Sequence, residues 1–123
     1  MPAVREPWIP ALVEAELTVF RDARAGGDAA RAWRALERAH ILAQPRLVPH
    51  LRVHAIMLGY AWRLRQPGEV AGQLFRMALA PLGHLTGRTP AGNTGRSNVS
   101  AFAPMPIPSD LHSAREDARD TPR

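Results

Sequence analysis

The breaks in this chain constrain its fold more than any other feature. Three short stretches interrupt long runs of helical periodicity: "GGD" at 26–28, "AQPRLVP" at 43–49 and "RQPGE" at 65–69. Glycine supplies left-handed backbone, proline removes a donor, and aspartate caps the helix that follows. The first predicted helix runs from Pro10 to Ala25, with Ile9, Val13, Leu17 and Phe20 as its apolar stripe. Gly26 or Gly27 ends it, and Asp28 caps a second helix from Ala29 to Ala43 that carries Ala32, Leu36, Ala39 and Ala43, with Trp33 beside them. Pro49 opens a third, to about Leu64, with the stripe Leu51, Ala55, Leu58 and Trp62. The fourth spans about Glu69 to Ala80, with Val70, Leu74, Ala78 and Leu82 inward. No stretch alternates at period two for long enough to be a strand. The expected fold is therefore all-α: four helices in two hairpins.

Beyond Gly83 the composition shifts to Gly, Pro, Ser, Thr and Asn. "PMPIP" reads as extended polyproline. "AFAPMPIP" is expected to strap the bundle, with Phe102, Met105 and Ile107 in a surface groove. The expected organisation is a helical bundle over residues 1–84, an irregular strap over 85–112, and a charged tail without structure over 113–123.

A chain of 123 residues makes one domain with one modest core. It lacks an apolar run of about 18 residues, so no membrane span is expected. "MPAVREPWIP" carries acid and proline where an export signal needs an apolar core. The absence of cysteine excludes thiolate chemistry and fits a cytoplasmic protein. The net charge of +5 comes with arginine alone and no lysine. The arginines interleave with acids instead of clustering, which argues against a nucleic-acid surface.

"GDAARAWRALERAHIL" and "GEVAGQLFRMALAPL" place Ala32, Leu36 and Ala39 in the same pattern as Ala71, Phe75 and Ala78. With the Gly27–Asp28 start and Leu42, the first of these resembles the second helix of a tetratricopeptide repeat. "LGYAW" at 58–62 is similar to part of such a repeat's first helix. That resemblance implies close packing at Ala39 and Ala78. The segments "ERAHILAQ", "PHLRVHAIMLGYA", "EVAGQLFRMALAP" and "PAGNTGRSNVSAFAPMPIPSDL" resemble a bacterial family, the domain of unknown function 3703, over roughly residues 10 to 111. This second resemblance supplies no activity; it implies an association with heavy-metal efflux and its regulation.

Three of the five histidines lie in "ERAHILAQPRLVPHLRVH" at 37–54. Glu37 and His40 share one side of the second helix at i, i+3; His50 and His54 share one side of the third at i, i+4. Across a short turn the four side chains converge, and three imidazoles with a carboxylate suit zinc, nickel, copper or iron. Met57, next on that face, would add a soft ligand and favour copper. The alternative is structural: histidines that fill space beside apolar stripes, with Glu37 paired to Arg34 or Arg38. Glu69, Gln73 and Arg76 read as an exposed stabilising ladder, or else as an anchor for "PAGNTGR", whose Asn93 and Gly95 can take positive φ. Met77, Met105 and Trp8 read as packing residues, and His84 and His112 as isolated. No serine or threonine has a base in a triad pattern, so catalysis is not expected. The function expected is a metal-binding accessory protein; the alternative is a protein-interaction module that offers a helical groove to a partner.

Overall fold

The computed structural model describes residues 8–120. The segment read for an export signal lies largely outside them, as do the last three residues of the expected tail. Among the described residues there are five helices and no strand: α1 Pro10–Ala25, α2 Ala29–Ala43, α3 Leu47–Arg63, α4 Pro67–Thr86 and α5 Ser109–Asp120. No helix is long and apolar enough to cross a membrane among these residues.

The local chemistry explains most boundaries. Pro10 stands in the first turn of α1, where a missing N–H costs nothing. Gly27 takes φ +73, and the Asp28 N–H closes onto the Ala23 carbonyl at 2.9 Å. The Asp28 carboxylate then accepts from the Arg31 N–H at 3.0 Å and caps α2. α3 begins at Leu47, two residues earlier than expected. Pro49 is tolerated inside its first turn because the first four N–H groups of a helix have no intrahelical partner.

α4 departs further from expectation. It runs through Pro81 and stops only at Gly87, with φ +71 and the Arg88 N–H on the Gly83 carbonyl at 2.8 Å. Proline deletes one hydrogen bond, and the helix continues on both sides of it. The fifth helix is also a correction, because residues 113–120 belong to α5 and were expected to lack structure. Two side chains hold it: Leu111 is buried, and Arg115 reaches from α5 to donate to the Ile41 carbonyl at 2.9 Å. Arg38 adds a fork onto Asp110 at 3.1 and 2.5 Å, with its Nε on Glu16 at 2.9 Å.

α1 packs on α2, α2 on α3, and α3 on α4. The core joins Val13, Leu17 and Phe20 of α1 to Leu36 and Ala39 of α2 and to Val53, Met57 and Tyr60 of α3. Phe20 meets Tyr60 edge-on with centroids 5.2 Å apart, and Trp33 lies 5.1 Å from the same ring. The stripes of α1 and α2 point inward as expected. Those of α3 and α4 do so only in part: Val70 packs against the core, and Leu51 and Leu58 are half-buried. Trp62, Leu74 and Leu82 are exposed, as are Ala55 and Ala78. The buried residues of α3 include His50, Val53, His54 and Met57, and those of α4 are Glu69, Gln73, Arg76 and Ala80. α4 thus turns a mainly polar face inward, and α3 a mixed one. Burial of this kind persists only where each polar group finds a partner.

Candidate metal centre

The partners are one another and the loop that follows α4. His40 comes from the C-terminal half of α2, His50 and His54 from successive turns of α3, and all three are buried. Their Nε2 atoms form a near-equilateral triangle: His40–His50 3.0 Å, His40–His54 3.1 Å and His50–His54 3.1 Å. These are the only three His, Asp or Glu side chains among the described residues that meet the geometry of a metal cluster. With metal–nitrogen bonds of about 2.0–2.1 Å, adjacent nitrogens stand about 2.9 Å apart in an octahedron and about 3.3 Å apart in a tetrahedron. The observed edges of 3.0 to 3.1 Å fall between the two.

The outer ring nitrogens fix the tautomers. His40 Nδ1 lies 2.7 Å from the Asn93 backbone carbonyl. A carbonyl only accepts, so Nδ1 carries the proton and Nε2 presents a lone pair. His54 Nδ1 lies 2.7 Å from Gln73 Oε1. The Gln73 amide is oriented by its own Nε2, which donates to Glu69 Oε1 at 3.1 Å and to the Gly95 carbonyl at 2.9 Å. His54 Nδ1 is therefore also the donor, and its Nε2 is also bare. Whatever His50 does, two lone pairs face each other at 3.1 Å with no hydrogen between them. His50 Nδ1 in turn meets His84 Nε2 at 2.9 Å. His40 and His54 thus each have an oriented acceptor on the far side, the arrangement that holds metal-ligating imidazoles, and His50 has His84.

Electrostatics keep the face neutral. Burial, and then the neighbouring His54 and His50 rings, hold His40 well below its ordinary value. Burial, with His54 and His84 nearby, brings His50 down to about 3. Burial lowers His54, and Arg76 adds to this, against the hydrogen bond to Gln73. A bare face of this kind takes either a proton or a metal cation; burial beside Arg76 opposes both charges, and only the metal gains three nitrogen bonds in return.

The loop over 88–108 closes the site. Gly92 and Gly95 take φ +77 and +81. Asn93 itself stays at negative φ and acts through its side chain, donating to the Ser100 and Ala103 carbonyls at 2.7 and 2.8 Å and accepting from the Gly95 N–H at 2.9 Å. That brace aims the Asn93 carbonyl at His40. Glu69 anchors the middle of the loop through Arg96 and Ser97. Burial alone would raise its pKa, but hydrogen bonds from Ser97 and Arg96 outweigh it and hold the carboxylate ionised. Arg96 pairs with Glu69 at 2.6 Å and lies over the Trp33 ring at 3.8 Å. Arg76 donates to the Val99 carbonyl. The polar set of α4 is therefore a buried loop anchor and not an exposed ladder.

The structure brings together three of the expected ligands and leaves one out. Glu37 lies a turn before His40, where its carboxylate meets Arg96 at 3.5 Å, and burial raises its pKa despite that pairing. Met57 is fully buried among the core residues. His84, read from the sequence as isolated, is the partner of His50. The expected helix stops at Ala80, before Pro81, and so leaves His84 outside it. Once α4 is followed to Thr86, Gln73, Arg76, Ala80 and His84 line up on one face at i, i+3, i+7 and i+11.

The fold and the site define a class: an all-helical protein that gathers three histidines where α2 and α3 meet α4 and its trailing loop. The chain belongs to the family described as Protein of unknown function (DUF3703), whose profile matches residues 9–114. No curated protein and no solved structure matches it.

Proposed function

We propose that the protein binds one divalent transition-metal ion on the Nε2 face of His40, His50 and His54, as a metal-handling accessory protein. One observation carries this reading. His40 and His54 each commit the Nδ1 proton outward, so two buried lone pairs meet at 3.1 Å, an arrangement that a cation relieves. Three nitrogen donors without sulfur suit Zn²⁺, Ni²⁺, Cu²⁺, Co²⁺ or Fe²⁺. Because burial lowers the pKa of all three imidazoles, affinity should fall less between pH 7.5 and pH 6 than it does at a solvent-exposed histidine site.

The test is thermal melting of tag-free protein with Zn²⁺, Ni²⁺, Cu²⁺ and Co²⁺. A ligand at a hundred times its Kd adds about 2.7 kcal/mol, a shift on the order of 10 °C for a domain of this size. His40→Ala and His54→Ala should each remove the shift. No shift with any of the four, or a shift that survives both substitutions, overturns the reading.

A second reading, a protein-interaction module, is favoured by the outer face of α4. Leu74, Phe75 and Leu85 are exposed there, and Trp62 of α3 is exposed as well. Sedimentation of the wild type against Phe75→Glu tests it: an assembly that the substitution dissolves supports it, and a monomer throughout counts against it.

A further inference from the structure

A cavity of about 290 Å³ lies against the histidine triangle, lined by all three rings and by Arg76, Leu79, Ala80 and Phe102 among others. Its volume equals about ten water-sized groups, at the small end of the range for ligand sites. Three features of its wall point to one chemistry. Among the described residues no aspartate or glutamate lines it, while two arginines, Arg76 and Arg88, do. Arg76 is 8% exposed; among the described residues its guanidinium forms no ion pair, and the hydrogen bond found for it goes to the Val99 carbonyl. The nearest acid on its helix face, Glu69, is engaged by Arg96, Ser97 and Gln73. The rest of the wall is mostly apolar, with Leu79, Leu82, Ala101 and Phe102 surrounding the polar floor.

We propose that this cavity binds a small carboxylate with an apolar body, one oxygen on the metal ion and the other on Arg76. The proposal rests on the metal reading above and adds the ligand class to it. A divalent ion beside a buried guanidinium leaves excess positive charge in a partly open space that no described acid lines, and an anion offsets it. Three protein nitrogens leave the ion a coordination position open, and the cavity is the space beside it. The apolar walls then select for a hydrocarbon body of about six to nine heavy atoms, within the volume available.

The test uses Co²⁺-loaded protein, whose visible bands report changes in coordination. Hexanoate and benzoate should shift those bands, acetate should need at least about ten times the concentration, and hexanamide should have no effect. Arg76→Gln, compared at saturating Co²⁺, should weaken hexanoate at least about tenfold. The comparison of hexanoate with hexanamide on wild-type protein decides the matter even if that variant fails to fold. A histidine-dependent Co²⁺ spectrum that no carboxylate alters overturns this proposal alone. So does equal binding of acetate and hexanoate, because the cavity would then be unused. The absence of any such Co²⁺ spectrum overturns the metal reading and this proposal with it.

Discussion

Gly95 is the residue on which the site most narrowly depends. A Cβ there would sit 2.6 Å from the His40 ring, at φ +81, where side chains are rarely accommodated. Gly95→Ala is expected to cost about 1–3 kcal/mol and to push His40 out of the triangle. Urea unfolding with and without Zn²⁺ would show both effects, and a wild-type metal response would refute the second. The histidines also fix a pH dependence. His50 has a folded pKa of about 3 against an ordinary 6.5, so between those values the unfolded chain takes up a proton that the folded chain refuses. Stability is therefore fully present above pH 6.5 and is lost as pH falls below it. The slope is about 1.4 kcal/mol per pH unit for each histidine held neutral. Glu37, whose pKa is raised, works in the opposite direction, so the comparison that isolates the histidines is wild type against His54→Gln. Metal-free wild type should show the steeper loss from pH 6.5 to 5, and parallel profiles would contradict the assignment.

At the scale of helices, Ala39 and Ala78 make a matched pair. Ala39 is fully buried in the core, so Ala39→Leu should overpack the core and cost about 1–3 kcal/mol. Ala78 is exposed, so Ala78→Leu should stay within about 0.5 kcal/mol of wild type. Equal losses in chemical denaturation would mean that the two helices are packed alike after all. This contrast marks where the sequence was legible. α1 and α2 separate apolar from charged faces, and a simple stripe identified their buried sides and both their ends. α4 carries leucines and phenylalanine on its exposed face and glutamate, glutamine and arginine on its buried one, while α3 buries His50 and His54 beside Val53, Met57 and Tyr60. Periodicity ranks faces by transfer free energy and has no means of seeing that Gln73 satisfies His54, Glu69 and Gly95 at once. The histidine cluster was legible because its i, i+4 spacing and short turn are local. Asn93 and Gly95 were not legible as its partners, since they reach it through a loop closed over fifty residues or more. Glu37 was placed wrongly for the same reason, because its partner Arg96 lies on that loop.

At the scale of the whole molecule, the chain is tied at distant points. Arg38 joins Asp110 across 72 residues, and Arg115 joins Ile41 across 74. Arg115→Ala removes a charged donor from a buried carbonyl and should cost about 1–3 kcal/mol. Closing so long a loop is entropically costly, so such a contact pays off late in assembly. Interactions absent from the folding transition state leave the refolding rate alone and act on escape from the native state. The Arg115→Ala protein should therefore refold in stopped-flow at nearly the wild-type rate and unfold roughly ten- to a hundredfold faster. A slowed refolding limb would place α5 among the first elements to dock. The clasp between α5 and the end of α2 thus sets how long a folded molecule lasts, and has little influence on how quickly it forms.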